Sequence, residues 1–308
     1  MTNNNTTINE LLTIRDWIRS AVSQFEASDI FYGHGTDNAY DEAVWLIMSA
    51  LHLPMDTLEN FLDARLTTTE RTKLVGFIEQ RITQHTPTAY LVKEAWLQGL
   101  KFYVDERVLI PRSFIAELLN NDLSPWIEFP EMIESAADIC TGSGCLGVLL
   151  ASAFPNAAID VIDISQDAID VANINIANYG LEAQVTAIKS DMFSALHDKE
   201  NGCKKYDVII SNPPYVDAPS MAALPAEYQN EPQLALGSGV AGLDHTHTLL
   251  REAANYLNEN GILIVEIGHN RDALEAAYPN MIFNWLEVSS GNEFVFLLTQ
   301  SQLKTQLK

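Results

Sequence analysis

Hydrophobic positions in the first 95 residues recur at intervals of three and four. Ile8, Leu11, Leu12, Ile14, Ile18, Val22 and Phe25 fall on one helical face. A second helix is predicted from Thr36 or Asp37 through AVWLIMSAL, stopping before Pro54. A third covers TLENFLDARL. A fourth, capped within Thr67 to Thr69, carries Leu74, Phe77, Ile78 and Ile82. Residues 1–95 are therefore expected to form a helical domain with its own core and no catalytic constellation. The pattern changes over 96–111, WLQGLKFYVDERVLIP, where two apolar stretches flank Asp105–Arg107. A β-hairpin linker turning at those charged residues is expected, followed by a short helix in SFIAELLN.

From about residue 133, apolar runs alternate with helical segments. The predicted strands are 136–140, 158–163, 183–189, 206–211 and 262–268. The helices between them include CLGVLLASAF, QDAIDVANINIANYG and HTLLREAANYLNE. This rhythm builds a parallel sheet with helices on both faces, so 112–308 is expected to form one α/β domain. NWLEVS and NEFVFLLT, on either side of Gly291, predict an antiparallel addition at the sheet's end.

A chain of 308 residues has room for two domains, and 47% hydrophobic content excludes a mainly disordered chain. Lys and Arg number 18 against 41 Asp and Glu, a net charge of −23. Such a surface repels phosphate backbones, which argues against direct nucleic-acid binding, and it attracts a basic partner. Most of the acidity lies in 96–308, with 11 basic residues against 28 acidic ones. Cys140, Cys145 and Cys203 are too few for a disulfide framework. MTNNNTTINE has no signal-peptide pattern, and no apolar run approaches the ~20 residues of a membrane span. A cytoplasmic chain without membrane contact is expected.

Residues 138–147, DICTGSGCLG, place glycines at 142, 144 and 147 between a strand and a helix. That spacing brings backbone and a helix N-terminus close to an anion, either a pyrophosphate or the carboxylate of S-adenosylmethionine. Cys140, Thr141, Gly142, Ser143 and Gly144 are the candidate lining. Asp163, ending the next strand, is suited to ribose hydroxyls, which both ligands carry. Asp191 and Met192, ending the third strand, are candidates to border an adenine. The fourth strand, YDVIIS, runs into Asn212, Pro213, Pro214 and Tyr215. Two prolines fix φ and remove two backbone donors, leaving a rigid turn rich in acceptors. The Asn212 side-chain oxygen and the Pro213 carbonyl can take both hydrogens of a planar –NH₂, and Tyr215 offers an aromatic face. Two other features carry less. Glu231-Pro232 could close over a substrate or form a plain surface turn. His245 and His247, without a cysteine or carboxylate cluster in sequence, read as solvated residues at a helix start, and no metal is expected.

DICTGSGCLG, VIDIS, SDMF and SNPPY together resemble class I, Rossmann-like S-adenosylmethionine-dependent methyltransferases that act on amino groups conjugated to a π system. The helical domain, PTAYLVKEAWLQGLKFYVDERVLIPRS and EPQLALGSGVAGLD extend a resemblance to protein-(glutamine-N5) methyltransferases over nearly the whole chain. PRSFIAEL in place of PRPET is similar to the branch that modifies ribosomal large-subunit protein three, although Phe114 stands where that branch has proline. The resemblance implies S-adenosylmethionine as cofactor, bound by Cys140 to Gly144, Asp163, Asp191 and Met192, with Asn212 bordering it. It implies a glutamine held by Asn212 to Tyr215, and a helical domain that recognises substrate. Release factors remain the alternative substrate, and an adenine-N6 DNA methyltransferase is the alternative from another class.

Overall fold

The computed structural model describes residues 8–198 and 202–306. The chain divides into two compact units. One contains the residues up to 95 together with 225–230; the other contains 96–224 and 231 onwards.

In the first unit, α1 (Ile14–Glu26) starts later than the periodicity from Ile8 predicts, because Thr13 and Asp16 form a capping box. Its buried residues are Ile14, Trp17, Ile18, Ala21 and Phe25. α2 (Ala39–Ala50) is capped by Asn38, and α3 (Thr68–Thr83) by a Thr67–Glu70 capping box. TLENFLDARL yields only one α-helical turn, Leu58–Phe61. Arg81, on α3, is fully buried and paired with Glu42 and Glu227, and it also donates to the Phe31 carbonyl at 2.8 Å. Glu227 reaches this unit through the excursion 225–230.

The hairpin consists of β1 (Ala95–Leu97) and β2 (Leu100–Phe102). It turns at Gln98–Gly99, with φ of 49° and 75°, and not at Asp105–Arg107 as the charge pattern predicts. A glycine supplies the second left-handed position without strain. The Asp105 carboxylate instead binds Arg107 and the Tyr103 hydroxyl.

The second unit is built on a seven-stranded sheet. Its strands are β3 (Ser135–Ile139), β4 (Ala158–Asp163), β5 (Val185–Lys189), β6 (Tyr206–Ser211), β7 (Leu257–Glu266), β8 (Asn284–Val288) and β9 (Gly291–Thr299). Their spatial order is β8-β9-β7-β6-β3-β4-β5. β5, β4, β3, β6 and β7 are parallel. β9 inserts antiparallel between β7 and β8, so the last strand is interior and β8 forms the edge. Short helices precede the sheet and cover it: α4 (Ile115–Leu119), α5 (Cys145–Ala153), α6 (Gln166–Asn178) and α7 (Asp244–Glu252). α7 begins and ends earlier than its apolar pattern predicts, because β7 already starts at Leu257. One face packs Val148, Leu149, Val161 and Ala172; the other packs Ile139, Ile209, Leu249 and Leu263. Burial on both faces explains why YDVIIS reads as a continuous apolar run.

Strand order reverses between β3 and β6. Ligands of open α/β sheets sit outside the carboxyl ends of the strands at such a point. Ile139 pairs with Ser211, so the glycine loop and the NPPY turn leave the sheet side by side.

Candidate active site

The glycine loop is shaped by left-handed backbone at Cys140, Gly142 and Gly144, with φ of 63°, 56° and 78°. A Cβ on Gly144 would stand 3.0 Å from the Ala172 Cβ, and one on Gly147 would stand 2.1 Å from Val161 Cγ1. These two glycines let α5 settle against α6 and β4. Gly142 differs: a Cβ there would meet nothing within 4 Å, because its face opens on the cavity.

Asp163 ties the loop to the second strand end. One carboxylate oxygen accepts from the Gly142 N–H at 2.9 Å, the other from the Ser165 N–H at 2.9 Å. Each oxygen keeps a further lone pair for a ligand. Burial raises its pKa. Behind it, Asp138 is fully buried, and desolvation pushes its carboxyl up to about 7. The Thr141 hydroxyl donates to Asp138, so it serves the loop rather than the cavity. Burial raises the Cys140 thiol strongly and pushes Cys145 up to about 12, which keeps both protonated. Cys140 Sγ lies 3.9 Å from the Met192 Sδ.

Cys140, Thr141, Gly142, Ser143, Asp163, Asp191 and Met192 all line the same cavity, together with Asn212 and Pro214. Gly144, Pro213 and Tyr215 do not line it. The Tyr215 ring lies over Gly268, whose added Cβ would come within 2.6 Å of the ring. Met192 is buried with φ of 46°, whereas Asp191 is exposed.

The Asn212 side-chain oxygen is shielded from solvent and has no hydrogen-bond partner among the described residues. A buried acceptor left unpaired costs about 1–3 kcal/mol, so its position is informative. The turn around it is held at several points. Ser211 Oγ donates to the Ile139 carbonyl at 2.6 Å, and Asn270 Nδ2 donates to the Tyr215 carbonyl at 2.7 Å. The Val216 N–H donates to the Leu236 carbonyl at 2.8 Å, and the Ser238 N–H to the Val216 carbonyl at 2.9 Å.

Four further residues line the cavity or hold residues that do; Asn175 and Glu266 carry no sequence signal, whereas Glu231 and His245 stand in stretches weighed above. Asn175 on α6 donates to the Ser143 carbonyl at 2.8 Å and exchanges hydrogen bonds with the Tyr103 backbone. Glu231, expected either to close over a substrate or to form a plain surface turn, is not a surface residue, and the adjoining Pro232 lines the cavity. Glu231 is buried and bidentate to Arg112, at 2.7 Å twice, and takes the Ile110 N–H. Glu266 accepts from Ser113 Oγ at 2.6 Å and the Phe114 N–H at 2.9 Å, and burial pushes it up to about 7. His245 is not a solvated helix-start residue: it is half-buried and lines the cavity beside Pro214, and desolvation lowers its pKa. Only the proline and the acid of EPQ, together with the arginine of PRS, gave a sequence signal for any of these contacts.

Residues 119–225 match the family model of the methyltransferase small domain. The chain is 55% identical over 294 residues to the ribosomal protein uL3 glutamine methyltransferase of Neisseria gonorrhoeae, covering 96% of each chain. It is 49% identical to the enzyme of that name from Burkholderia pseudomallei, covering 94% of this chain and 95% of the relative. With the one from Bordetella pertussis it shares 49% identity, over 99% and 100%.

Proposed function

This chain belongs to the ribosomal protein uL3 glutamine methyltransferase family and uses S-adenosylmethionine, and we propose from that premise that it methylates the side-chain nitrogen of a glutamine in free uL3, with Asn212 holding the target amide. The observation that carries the assignment of the site is the unpaired, solvent-shielded Asn212 oxygen at the topological switch point.

The residues around the cavity fit the methyl donor. Gly142 offers open backbone surface, and the Asp163 carboxylate has spare lone pairs for a ribose. Asp191 and Met192 border the far side. S-adenosylmethionine supplies a methyl group activated by a sulfonium. The chain must supply the rest. An amide nitrogen is a weak nucleophile because its lone pair is delocalised into the carbonyl. Asn212 Oδ1 accepts one hydrogen of the target –NH₂, and the Pro213 carbonyl accepts the other. Held in that plane, the nitrogen is oriented for in-line attack. Positive charge grows on the nitrogen as the bond forms, and two fixed oxygens beside it stabilise that charge. One N–H proton then departs to water.

The net charge of −23 supports the choice of substrate form. A basic protein is attracted to this surface, and assembled ribosomal RNA is repelled. The helical unit is assigned to recognition of the substrate, and the protein to the cytoplasm where uL3 is made. Among the described residues, no helix is long and apolar enough to cross a membrane.

The test is methyl transfer from labelled S-adenosylmethionine to isolated uL3, release factors, intact large subunits and DNA, with the modified atom located by mass spectrometry. Label on a glutamine amide of isolated uL3 is expected. Label confined to release factors, to DNA or to intact subunits overturns the proposal.

A further inference from the structure

We infer that His245 is a positioning residue for methyl transfer, gripping the NPPY turn on its C-terminal side, at Pro214 and Val216, so that the Asn212 oxygen keeps its place. The inference rests on the reading above, in which that oxygen receives the target amide.

The geometry begins at Ser238, which is buried. Its Oγ accepts from the His245 backbone N–H at 3.2 Å and lies 2.7 Å from His245 Nδ1. With its oxygen taken by the N–H, the hydroxyl is free to give its own hydrogen to Nδ1. Neutral imidazole then carries its proton on Nε2. The ring lies in the cavity wall with Asn212 and Pro214, and the Pro214 carbonyl faces it. An Nε2–H directed at that carbonyl restrains the turn two residues after Asn212. Ser238 restrains it again at Val216, through the parallel bridge between Val216 and Gly237. One side chain thus links Pro214, by its carbonyl, to Val216, by way of Ser238. Prolines deprive this turn of its own amide donors, so outside donors must hold it.

Protonating Nδ1 would only reverse the bond to Ser238: Nδ1–H would donate to the second lone pair of Oγ, and Nε2 would keep its hydrogen. The charged groups facing the ring are Asp244, on its own helix, and Asp191, across the cavity; both favour the protonated form, while burial opposes it. Burial has the larger effect, so the ring is neutral at pH 7.

The variants that separate positioning from packing are His245→Ala, His245→Gln and His245→Asn. Glutamine places an N–H near the Nε2 position, whereas asparagine places one near Nδ1. On isolated uL3, His245→Ala is expected to lower kcat about 10- to 100-fold, as small misplacements do, with the Kd for S-adenosylmethionine unchanged. His245→Gln is expected to restore most of kcat, and His245→Asn to restore little. Wild-type kcat in His245→Ala, or equal activity in the Gln and Asn variants, overturns the inference. A second readout needs no turnover and distinguishes failure here from failure of the assigned reaction. Nitrogen NMR should find Nε2–H imidazole at pH 7.5, and hydrogen exchange at the Val216 and Ser238 amides should accelerate in His245→Ala. An Nδ1–H tautomer, or unchanged exchange, overturns it even if no substrate is ever found.

Discussion

Ser211 gives its hydroxyl hydrogen to the carbonyl of Ile139 at 2.6 Å, one residue before Asn212 on one strand and one residue before Cys140 on its neighbour. The bond is buried and spans 72 positions of sequence. It fixes the spacing between the turn that presents an acceptor and the loop that opens on the cavity.

Removing the acceptor itself should therefore separate catalysis from cofactor binding. Asn212→Ala is expected to lower kcat by about 100- to 1000-fold, the usual cost of losing one preorganised polar contact. Calorimetric affinity for S-adenosylmethionine should stay within a few-fold of wild type. Surviving turnover would refute the two-acceptor account.

Gly147 is required by close packing rather than by backbone conformation. Gly147→Ala puts a methyl 2.1 Å from Val161 Cγ1, on a β-branched residue in the sheet. Overpacking of this kind costs about 1–3 kcal/mol. A lower Tm is expected, together with weaker cofactor binding as α5 is pushed off the sheet. Gly142→Ala meets no such obstacle, but its left-handed φ of 56° strains an alanine, so a stability loss of about 1 kcal/mol, read as a lower Tm, should accompany the loss of binding.

Glu266 gives a pH test with a definite sign. Burial raises its folded-state pKa to about 7, above the unfolded carboxylate value. Between those values the folded state holds a proton that the unfolded state has released. Stability from this group is thus fully present at low pH and is lost as pH rises to about 7. Glu266→Gln, which still accepts from Ser113 and Phe114, should raise stability above pH 7 by up to about 3 kcal/mol. The gain should shrink toward pH 5. Denaturant melts at the two pH values measure it; a gain that is larger at pH 5 would be the wrong sign.

Glu231→Ala should be among the most damaging changes outside the glycine loop and the NPPY turn. It strips the Arg112 guanidinium of a bidentate partner and leaves the Ile110 amide unpaired. Breaking a buried pair costs about 3–5 kcal/mol. Replacing both partners, Arg112→Met with Glu231→Leu, should recover much of that loss in equilibrium unfolding.

The parts of the site that were readable from sequence are local. DICTGSGCLG and SNPPY each concentrate their chemistry within a few residues, and both sit where strand–turn–helix logic puts them. What could not be read depends on pairing over distance. Asn175 holds the Ser143 carbonyl 32 positions away, Arg112 meets Glu231 119 positions away, and nothing in either stretch names its partner. The position of the hairpin turn is hidden for a related reason: Asp105 and Arg107 look like solvent-facing turn residues, yet they satisfy one another, while Gln98–Gly99 makes the bend. The insertion of β9 between β7 and β8 is a choice of strand order that periodicity does not encode.

The excursion 225–230 makes the helical unit discontinuous. Excising residues 1–95 would leave Glu227 behind, severed from the guanidinium that neutralises it, and transplanting them alone would leave Arg81 with half its counter-charge. A graft of this unit onto another catalytic domain, whether made by evolution or at the bench, has to carry two pieces of chain at once. Swapping it for a different helical module is correspondingly harder than its position at one end of the sequence implies.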